Sequence, residues 1–121
     1  MSRPSKSEIV RRCFAAYTSK DRKAVEELLA DDFTFTSPYH DAIDKVAYFE
    51  RCWPNSEWIR THILEKVWEQ EGEVFVRYRC IANDGKEFRN SEFFTFDGDK
   101  IRSVEVYFGP TYKDGAFVSD Q

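Results

Sequence analysis

The order of the predicted elements indicates an α+β domain in which three N-terminal helices pack on one face of a curved antiparallel sheet. Helical spacing of apolar residues is confined to the first half of the chain, whereas strand-like runs follow one another in the second half. The length of 121 residues suits one domain and is too short for two. We therefore expect a single domain over residues 1–121, with its core at about 7–109 and a flexible tail at 110–121.

Two helices are predicted at the start of the chain. The first covers residues 7–19, with Ser7 as its N-cap. Asp21 begins the second, which we expect to end near Asp31 and Asp32. The apolar residues that these helices turn toward the core are Ile9, Val10, Cys13, Phe14, Tyr17, Val25, Leu28 and Leu29.

A short strand and a third helix follow. Residues 33–36 alternate between apolar and polar side chains, which predicts a strand, and Pro38 is expected to end it. Asp44 is a suitable N-cap for the third helix, and Pro54 is expected to close it.

The second half of the chain predicts four strands, at about 59–70, 73–82, 87–97 and 101–109. Each of the three connections contains a glycine, which tight hairpins favour because glycine adopts positive φ without strain. Consecutive hairpins arrange these strands as an antiparallel meander.

Alternation along the strands predicts which side chains point toward the helices. At 87–97 the more apolar set contains Asn90 and Glu92, so its inward placement also buries these two polar residues. The complete inward set is Val74, Val76, Tyr78, Cys80, Phe88, Asn90, Glu92, Phe94, Phe96, Val104, Val106 and Phe108. Arg77, Phe93 and Tyr107 are expected on the opposite, outer face.

Aromatic residues are unusually frequent, at 17% of the chain with eleven phenylalanines. Aromatic side chains bury a large area each, so this composition suits a small core packed with large side chains. It suits an aromatic-lined cavity for a small molecule equally well. Composition alone leaves both interpretations open.

Charge and sequence pattern argue against several classes of function. The net charge of −4 disfavours nucleic-acid binding, which depends on dense lysine and arginine. No apolar run approaches the roughly 20 residues of a membrane span, and the N-terminus lacks the apolar region of a signal peptide. We expect a cytoplasmic protein without membrane contact. The three cysteines form no CxxC pair, so we expect buried free thiols and no metal site.

Two segments of the sequence resemble a known superfamily. The first comprises residues 14–17, Asp21 and residues 28–33, and the second comprises residues 94–101 and 104–108. They are similar to the opening and the last hairpin of nuclear transport factor 2-like domains, which include ketosteroid isomerase-like and SnoaL-like polyketide-cyclase domains. The resemblance covers about residues 7–109. It is more specific for the fold than for the function, because this fold hosts proteins of several functions.

The resemblance implies a cystatin-like α+β barrel with a cone-shaped pocket that is open at one end. The inner sheet face and the helices would line this pocket and hold a small apolar ligand, without a cofactor. It further implies a homodimer through the outer sheet face, where Arg77, Phe93 and Tyr107 are interface candidates.

Ketosteroid isomerase uses an aspartate base, with a tyrosine and a protonated aspartate as the oxyanion hole. Only some of these catalytic groups have a counterpart in this sequence. The position of the base is Ser37, whose hydroxyl cannot act as a carboxylate base. The position of the tyrosine is Cys13, although Tyr17 lies one turn further along the helix. The protonated aspartate corresponds to Glu92, which keeps a carboxyl group. Steroid isomerase activity is therefore rejected.

Glu92 is the principal candidate for catalysis. Burial among phenylalanines would raise its pKa, so that it could donate a hydrogen bond to a carbonyl or act as a base. The alternative is a structural glutamate, bonded to Asn90, Tyr17 or a helix end.

The second candidate is the segment from Ser37 to Asp41, which follows the first strand. His40 could transfer protons near neutral pH, oriented by Asp41 or Asp44. Ser37 as a nucleophile is disfavoured because no nucleophile elbow surrounds it and residues three apart need not meet. A solvated histidine or a helix-capping cluster is the alternative. His62 is assigned to packing or to the surface.

Two functional hypotheses remain. In the first, a small enzyme of the polyketide-cyclase or isomerase type uses Glu92, His40, Asp41 and Tyr17 on an apolar or aromatic carbonyl compound. In the second, the same fold binds a ligand or dimerises without catalysis. The predicted substrate-binding residues are Ser37, Tyr48, Trp53, Trp58, Tyr78, Asn90, Phe94 and Phe108.

Overall fold

The helices and strands follow the predicted order, with two strands and one short helix added. The structure, a computed structural model, describes residues 4–118. Within that range it has three α-helices, α1 (Lys6–Thr18), α2 (Arg22–Leu28) and α3 (Lys45–Arg51), and one 3₁₀ helix (Trp53–Trp58). Its seven strands are β1 (Leu29–Ser37), β2 (His40–Asp44), β3 (Ile59–Gln70), β4 (Glu73–Ala82), β5 (Lys86–Asp97), β6 (Lys100–Lys113) and β7 (Ala116–Val118). The predicted α+β class is confirmed.

Two of the three predicted helix caps are confirmed. Asp21 and Asp44 cap α2 and α3 as predicted, since each carboxylate accepts a backbone N–H three residues later, at 3.2 and 2.9 Å. The prediction of Ser7 as the cap of α1 is wrong. Ser5 caps this helix, and the Ser7 hydroxyl donates to Glu69 at 2.8 Å instead.

The seven strands of the described residues form one curved sheet in the order β2-β1-β6-β5-β4-β3, with β7 paired to β6. The predicted meander of β3 to β6 is confirmed, because each consecutive pair is antiparallel. The expectation of a fully antiparallel sheet is wrong. β1 runs parallel to β6, with Phe35 opposite Val104. Most of the chain separates these two strands, so no hairpin fixes their relative direction.

Two boundaries differ from the predictions because of strand pairing, and an unpredicted strand follows the predicted end of β1 at Pro38. α2 ends at Leu28 rather than near Asp32, since Leu29 already pairs with Ile101. Pro38 ends β1 but begins a tight turn into β2. The tail predicted from residue 110 onward belongs to the sheet as far as Val118, and residues 119–121 lie outside the described part of the chain.

Irregularities in the strand pairing accompany the curvature that opens a space between sheet and helices. The pairing of β5 with β6 shifts between Phe88 and Asn90, and such bulges bend a sheet. Gly109 lies opposite this shift, where a Cβ atom would approach the Arg89 carbonyl oxygen to 2.1 Å. Only glycine fits this close approach without displacing the backbone. The inward faces of β4, β5 and β6 are those predicted from alternation.

Among residues 4–118, none of the helices combines the length and apolar character that crossing a membrane would require.

Candidate functional site

A cavity of about 260 Å³ lies between the helices and the inner face of the sheet. It is small for a ligand pocket and suits a compact molecule. Ten aromatic side chains line it: Phe14, Tyr17, Phe33, Phe35, Tyr39, Tyr48, Tyr78, Phe88, Phe94 and Phe108. Several of these rings also belong to the packed core, so the aromatic residues both pack the domain and line the cavity.

The mouth of the cavity is marked by two exposed aromatic residues. Tyr39 in the β1–β2 turn is 69% exposed and Phe108 on β6 is 41% exposed. Their ring centroids lie 5.6 Å apart in an edge-to-face arrangement. These two exposed rings therefore border the cavity on its solvent side.

Charge in the cavity is concentrated on one residue. Among the described residues that line it, Glu92 is the single carboxylate, and none is lysine or arginine. Burial raises the pKa of Glu92 to about 7, and a hydrogen bond from Tyr78 opposes this rise. The carboxyl group therefore exchanges its proton near neutral pH, as a general acid or base must.

A directed series of hydrogen bonds leads to Glu92. The Gly109 amide donates to Asn90 Oδ1 at 3.4 Å, and Asn90 Nδ2 donates to the Tyr78 hydroxyl at 3.1 Å. Tyr78 has one proton, which it donates to Glu92. Asn90 thus holds Tyr78 in place, whereas the sequence suggested that it binds Glu92 directly.

The neighbours of Glu92 remain uncharged near neutral pH. Burial raises the pKa of the Cys13 and Cys80 thiols to about 12 and the pKa of the Tyr17, Tyr48 and Tyr78 hydroxyls well above their ordinary value. The negative charge of Glu92 adds to each of these shifts. Its ionised form therefore lies in an apolar environment without a cationic partner from the cavity wall.

His62 is a cavity residue that the sequence analysis assigned to packing or to the surface. Its Nδ1 lies 2.7 Å from the Thr18 hydroxyl, and burial followed by the nearby charge of Lys20 lowers its pKa to about 4. The imidazole is therefore neutral at pH 7. His62 pairs with Cys80 across β3 and β4, so the pairing register would have identified it as inward-facing.

His40, Ser37 and Cys52 form a cluster on the cavity wall. Ser37 Oγ lies 3.2 Å and Cys52 Sγ 4.0 Å from His40 Nδ1. Ser37 and His40 meet because they are paired residues at the β1–β2 turn. Among residues 4–118 no hydrogen bond joins His40 to Glu92, so these two candidates remain separate within one cavity.

Three predicted site residues do not line the cavity. Asp41 is exposed because it follows His40 on β2 and alternation places its side chain on the opposite face. Neither Asp41 nor Asp44 orients His40, since Ser37 contacts His40 Nδ1 and Asp44 caps α3.

Trp53 and Trp58, which were predicted to bind substrate, lie outside the cavity in different ways. Trp58 is 68% exposed at the end of the 3₁₀ helix. Trp53 packs between Tyr17 and Phe49, with ring-centroid distances of 5.1 and 5.9 Å, and so supports the cavity wall from behind.

The remaining predicted residues do line the cavity: Glu92, His40, Tyr17, Ser37, Tyr48, Tyr78, Asn90, Phe94 and Phe108. Tyr17 donates its hydroxyl proton to the Cys52 carbonyl at 3.3 Å, which commits that proton to the backbone. The described residues contain no group of three or more His, Cys, Asp or Glu side chains arranged to hold a metal ion.

Comparisons with known proteins identify similar sequences and folds. The model of the SnoaL-like domain family matches residues 10–104, whereas a comparison with curated proteins found no match. An NTF2-like protein of unknown function from Cytophaga hutchinsonii has a TM-score of 0.73 and 20% identity, over 88% of this chain and 92% of that chain. An uncharacterised cystatin-fold protein from Novosphingobium aromaticivorans also has a TM-score of 0.73 and 20% identity, over 86% and 98%.

A further similar structure contains a small molecule. A protein of ketosteroid isomerase-like fold from Catenulispora acidiphila, solved in complex with trimethylamine, has a TM-score of 0.70 and 17% identity. The match covers 84% of this chain and 85% of that chain. At these identities the structural similarities establish the fold.

Proposed function

Because the chain belongs to the SnoaL-like domain family of the nuclear transport factor 2-like superfamily, we propose that it is a cofactor-independent acid–base enzyme of the polyketide-cyclase or isomerase type. Its substrate would be a compact apolar or aromatic carbonyl compound. The observation that carries this proposal is Glu92, the one carboxyl group of an aromatic cavity, whose pKa of about 7 suits proton transfer in both directions.

Glu92 would transfer the proton. Its carboxylate accepts a proton from the carbon beside the substrate carbonyl, and the electrons of that C–H bond form an enolate. The protonated carboxyl then returns the proton to a carbon of the enolate, so an isomerisation leaves Glu92 unchanged.

Tyr48 is suited to stabilise the enolate oxygen. It lines the cavity, and its hydroxyl has no hydrogen-bond partner among residues 4–118. Burial keeps this hydroxyl protonated, because it raises the pKa of Tyr48 far above neutrality. A preorganised donor at this place would favour the charge that develops in the transition state. His40, held by Ser37, would serve a polar group of the substrate at a second point on the cavity wall.

Exchange of α-protons for deuterium in indan-2-one tests the proposed chemistry, because it requires enolisation alone. NMR should show exchange that the protein accelerates and that rises with pH through about 7. Glu92→Gln should slow this exchange by about 100-fold, whereas Glu73→Gln, an exposed change on β4, should not. Equal exchange rates in the natural protein and in Glu92→Gln would reject Glu92 as the catalytic group.

A ligand-binding or dimerisation domain without catalysis is the second candidate. Ser37 occupies the place of the carboxylate base that the resemblance implies, which favours this alternative. The Catenulispora acidiphila protein was solved with trimethylamine, so a small amine is a ligand to consider for this chain as well. A cytoplasmic location belongs to both candidates, since it would keep the free cysteines Cys13, Cys52 and Cys80 reduced.

A homodimer through the outer sheet face belongs to the same proposal. Trp68, Phe75, Phe93 and Tyr107 lie on this face in neighbouring strands, and Tyr107 is 57% exposed. Aromatic residues are enriched at such interfaces. Sedimentation equilibrium at micromolar concentration should detect the dimer, and Phe75→Asp should dissociate it; a monomeric natural protein would reject it.

A further inference from the structure

The cavity has the charge pattern of a receptor for a cation. We propose that it binds a compact organic cation, either a protonated tertiary amine or a quaternary ammonium group, with Glu92 as the counter-ion and the aromatic wall around the alkyl groups. This inference rests on the proposed ligand-binding role of the same cavity and defines the chemistry of its ligand.

The first support is the carboxylate itself. A buried carboxylate is normally paired with a cation or with several hydrogen-bond donors. Glu92 receives one hydroxyl donor, Tyr78, and the lining supplies no lysine or arginine. A ligand that brings a positive charge would supply the missing partner.

The second support is the aromatic wall. Aromatic rings attract cations through the negative potential of their faces, and aromatic cages recognise quaternary ammonium groups in this way. The ten lining rings combine this attraction with an apolar surface for methyl groups. An anionic ligand would meet the charge of Glu92 without any lysine or arginine from the described lining, so the same wall selects against carboxylates and phosphates.

The third support is that the tyrosines, the thiols and His62 around Glu92 carry no charge near neutral pH. Tyr17, Tyr48 and Tyr78 keep their protons, as do the neighbouring thiols, and His62 is neutral above about pH 4. His40 is the other imidazole of the lining, and its contribution can be separated by substitution. The charge available to the ligand at pH 8 is then that of Glu92.

Choline and 3,3-dimethylbutan-1-ol test the proposal, because they share one shape and differ in charge. Calorimetry at pH 8 should show choline binding at least about 10-fold more tightly than the alcohol. Its affinity should fall by about 10-fold from pH 8 to pH 6, since a group with a pKa of about 7 is ten times less ionised at pH 6. Glu92→Gln should remove the preference for choline, and Glu73→Gln should retain it.

Each alternative outcome has a distinct meaning. Equal affinities for the two compounds at pH 8 overturn the proposal, and so does a choline preference that persists in Glu92→Gln. Loss of the pH dependence in His40→Gln would assign the titrating group to His40 and also reject Glu92 as counter-ion. Deuterium exchange that depends on Glu92 without choline binding would reject this inference and leave the enzymatic proposal intact.

Discussion

Two glutamates on opposite faces of the sheet behave in opposite ways. Glu92 on β5 points into the cavity, where burial raises its pKa to about 7. Glu65 on β3 lies on the outer face, where hydrogen bonds from Arg89, the nearer at 2.8 Å, lower its pKa. The comparison teaches that the inner face isolates a charge from partners, whereas the outer face pairs it at low cost in water.

The isolation of Glu92 should be visible as a loss of stability. An acid whose pKa is higher in the folded state binds more protons when folded, so stability falls as pH rises from about 4.5 to about 7. Above that range the cost is constant at about 3 kcal/mol, because burial raises the pKa of Glu92 from its ordinary value of 4.5 to about 7. Glu92→Gln should therefore stabilise the protein by up to about 3 kcal/mol at pH 8, measured by urea unfolding.

His62 supplies an internal check on that prediction. Burial lowers the pKa of His62 to about 4, so the folded state binds fewer protons than the unfolded state between about pH 4 and 6.5. The contribution of His62 to the free energy of unfolding therefore rises with pH over this range. In the natural protein, Glu92 and His62 give opposite slopes of the free energy of unfolding against pH. Glu92→Gln removes the first contribution and should reveal the rise with pH that His62 causes. A variant with lower stability at pH 8, and with no new slope below pH 6.5, would show that the Glu92 carboxylate is not destabilised by burial.

Removal of the Tyr78 hydroxyl should change the pKa of Glu92, and we expect this effect to be smaller than that of removing the Glu92 carboxylate. Tyr78→Phe removes the donor that favours the ionised form, so the pKa of Glu92 should rise further, by about one unit. A ¹³C NMR titration of the Glu92 carboxyl measures this directly. Tyr107→Phe is the matched control, because Tyr107 donates to Glu105 at 2.9 Å on the outer face. A pKa of Glu92 that is unchanged in Tyr78→Phe would contradict the directed hydrogen bonds.

The sequence predicted what depends on local pattern. Alternation within β4 and β5 placed Tyr78, Asn90 and Glu92 on the inner face, because strand period is a property of neighbouring residues. The buried environment of Glu92 followed from its phenylalanine neighbours on the same strand. Most of the cavity wall was accessible to this kind of reasoning.

The features that the sequence does not predict depend on pairing between distant segments. His62 faces the cavity because its partner is Cys80, and β1 is parallel to β6 because Phe35 meets Val104. No local spacing encodes either register. The β7 strand is a different case, since Asp114 and Gly115 both adopt positive φ and form the turn that this dipeptide favours. This local signal in the sequence indicates a hairpin within the segment that we predicted to be a flexible tail.

The smallest expected effect concerns Glu65. An acid with a lowered pKa contributes stability above its ordinary pKa and loses it as pH falls through the folded value. Its pairs with Arg89 and Arg77 lie in solvent, where side-chain entropy and screening leave little net contribution. Glu65→Gln should therefore lower the urea midpoint only slightly at pH 8, and 1 M NaCl should abolish the difference. The stabilisation in Glu92→Gln should persist in salt, since its cause is desolvation inside the cavity. A salt-resistant loss in Glu65→Gln as large as the gain in Glu92→Gln would contradict the distinction between the two faces.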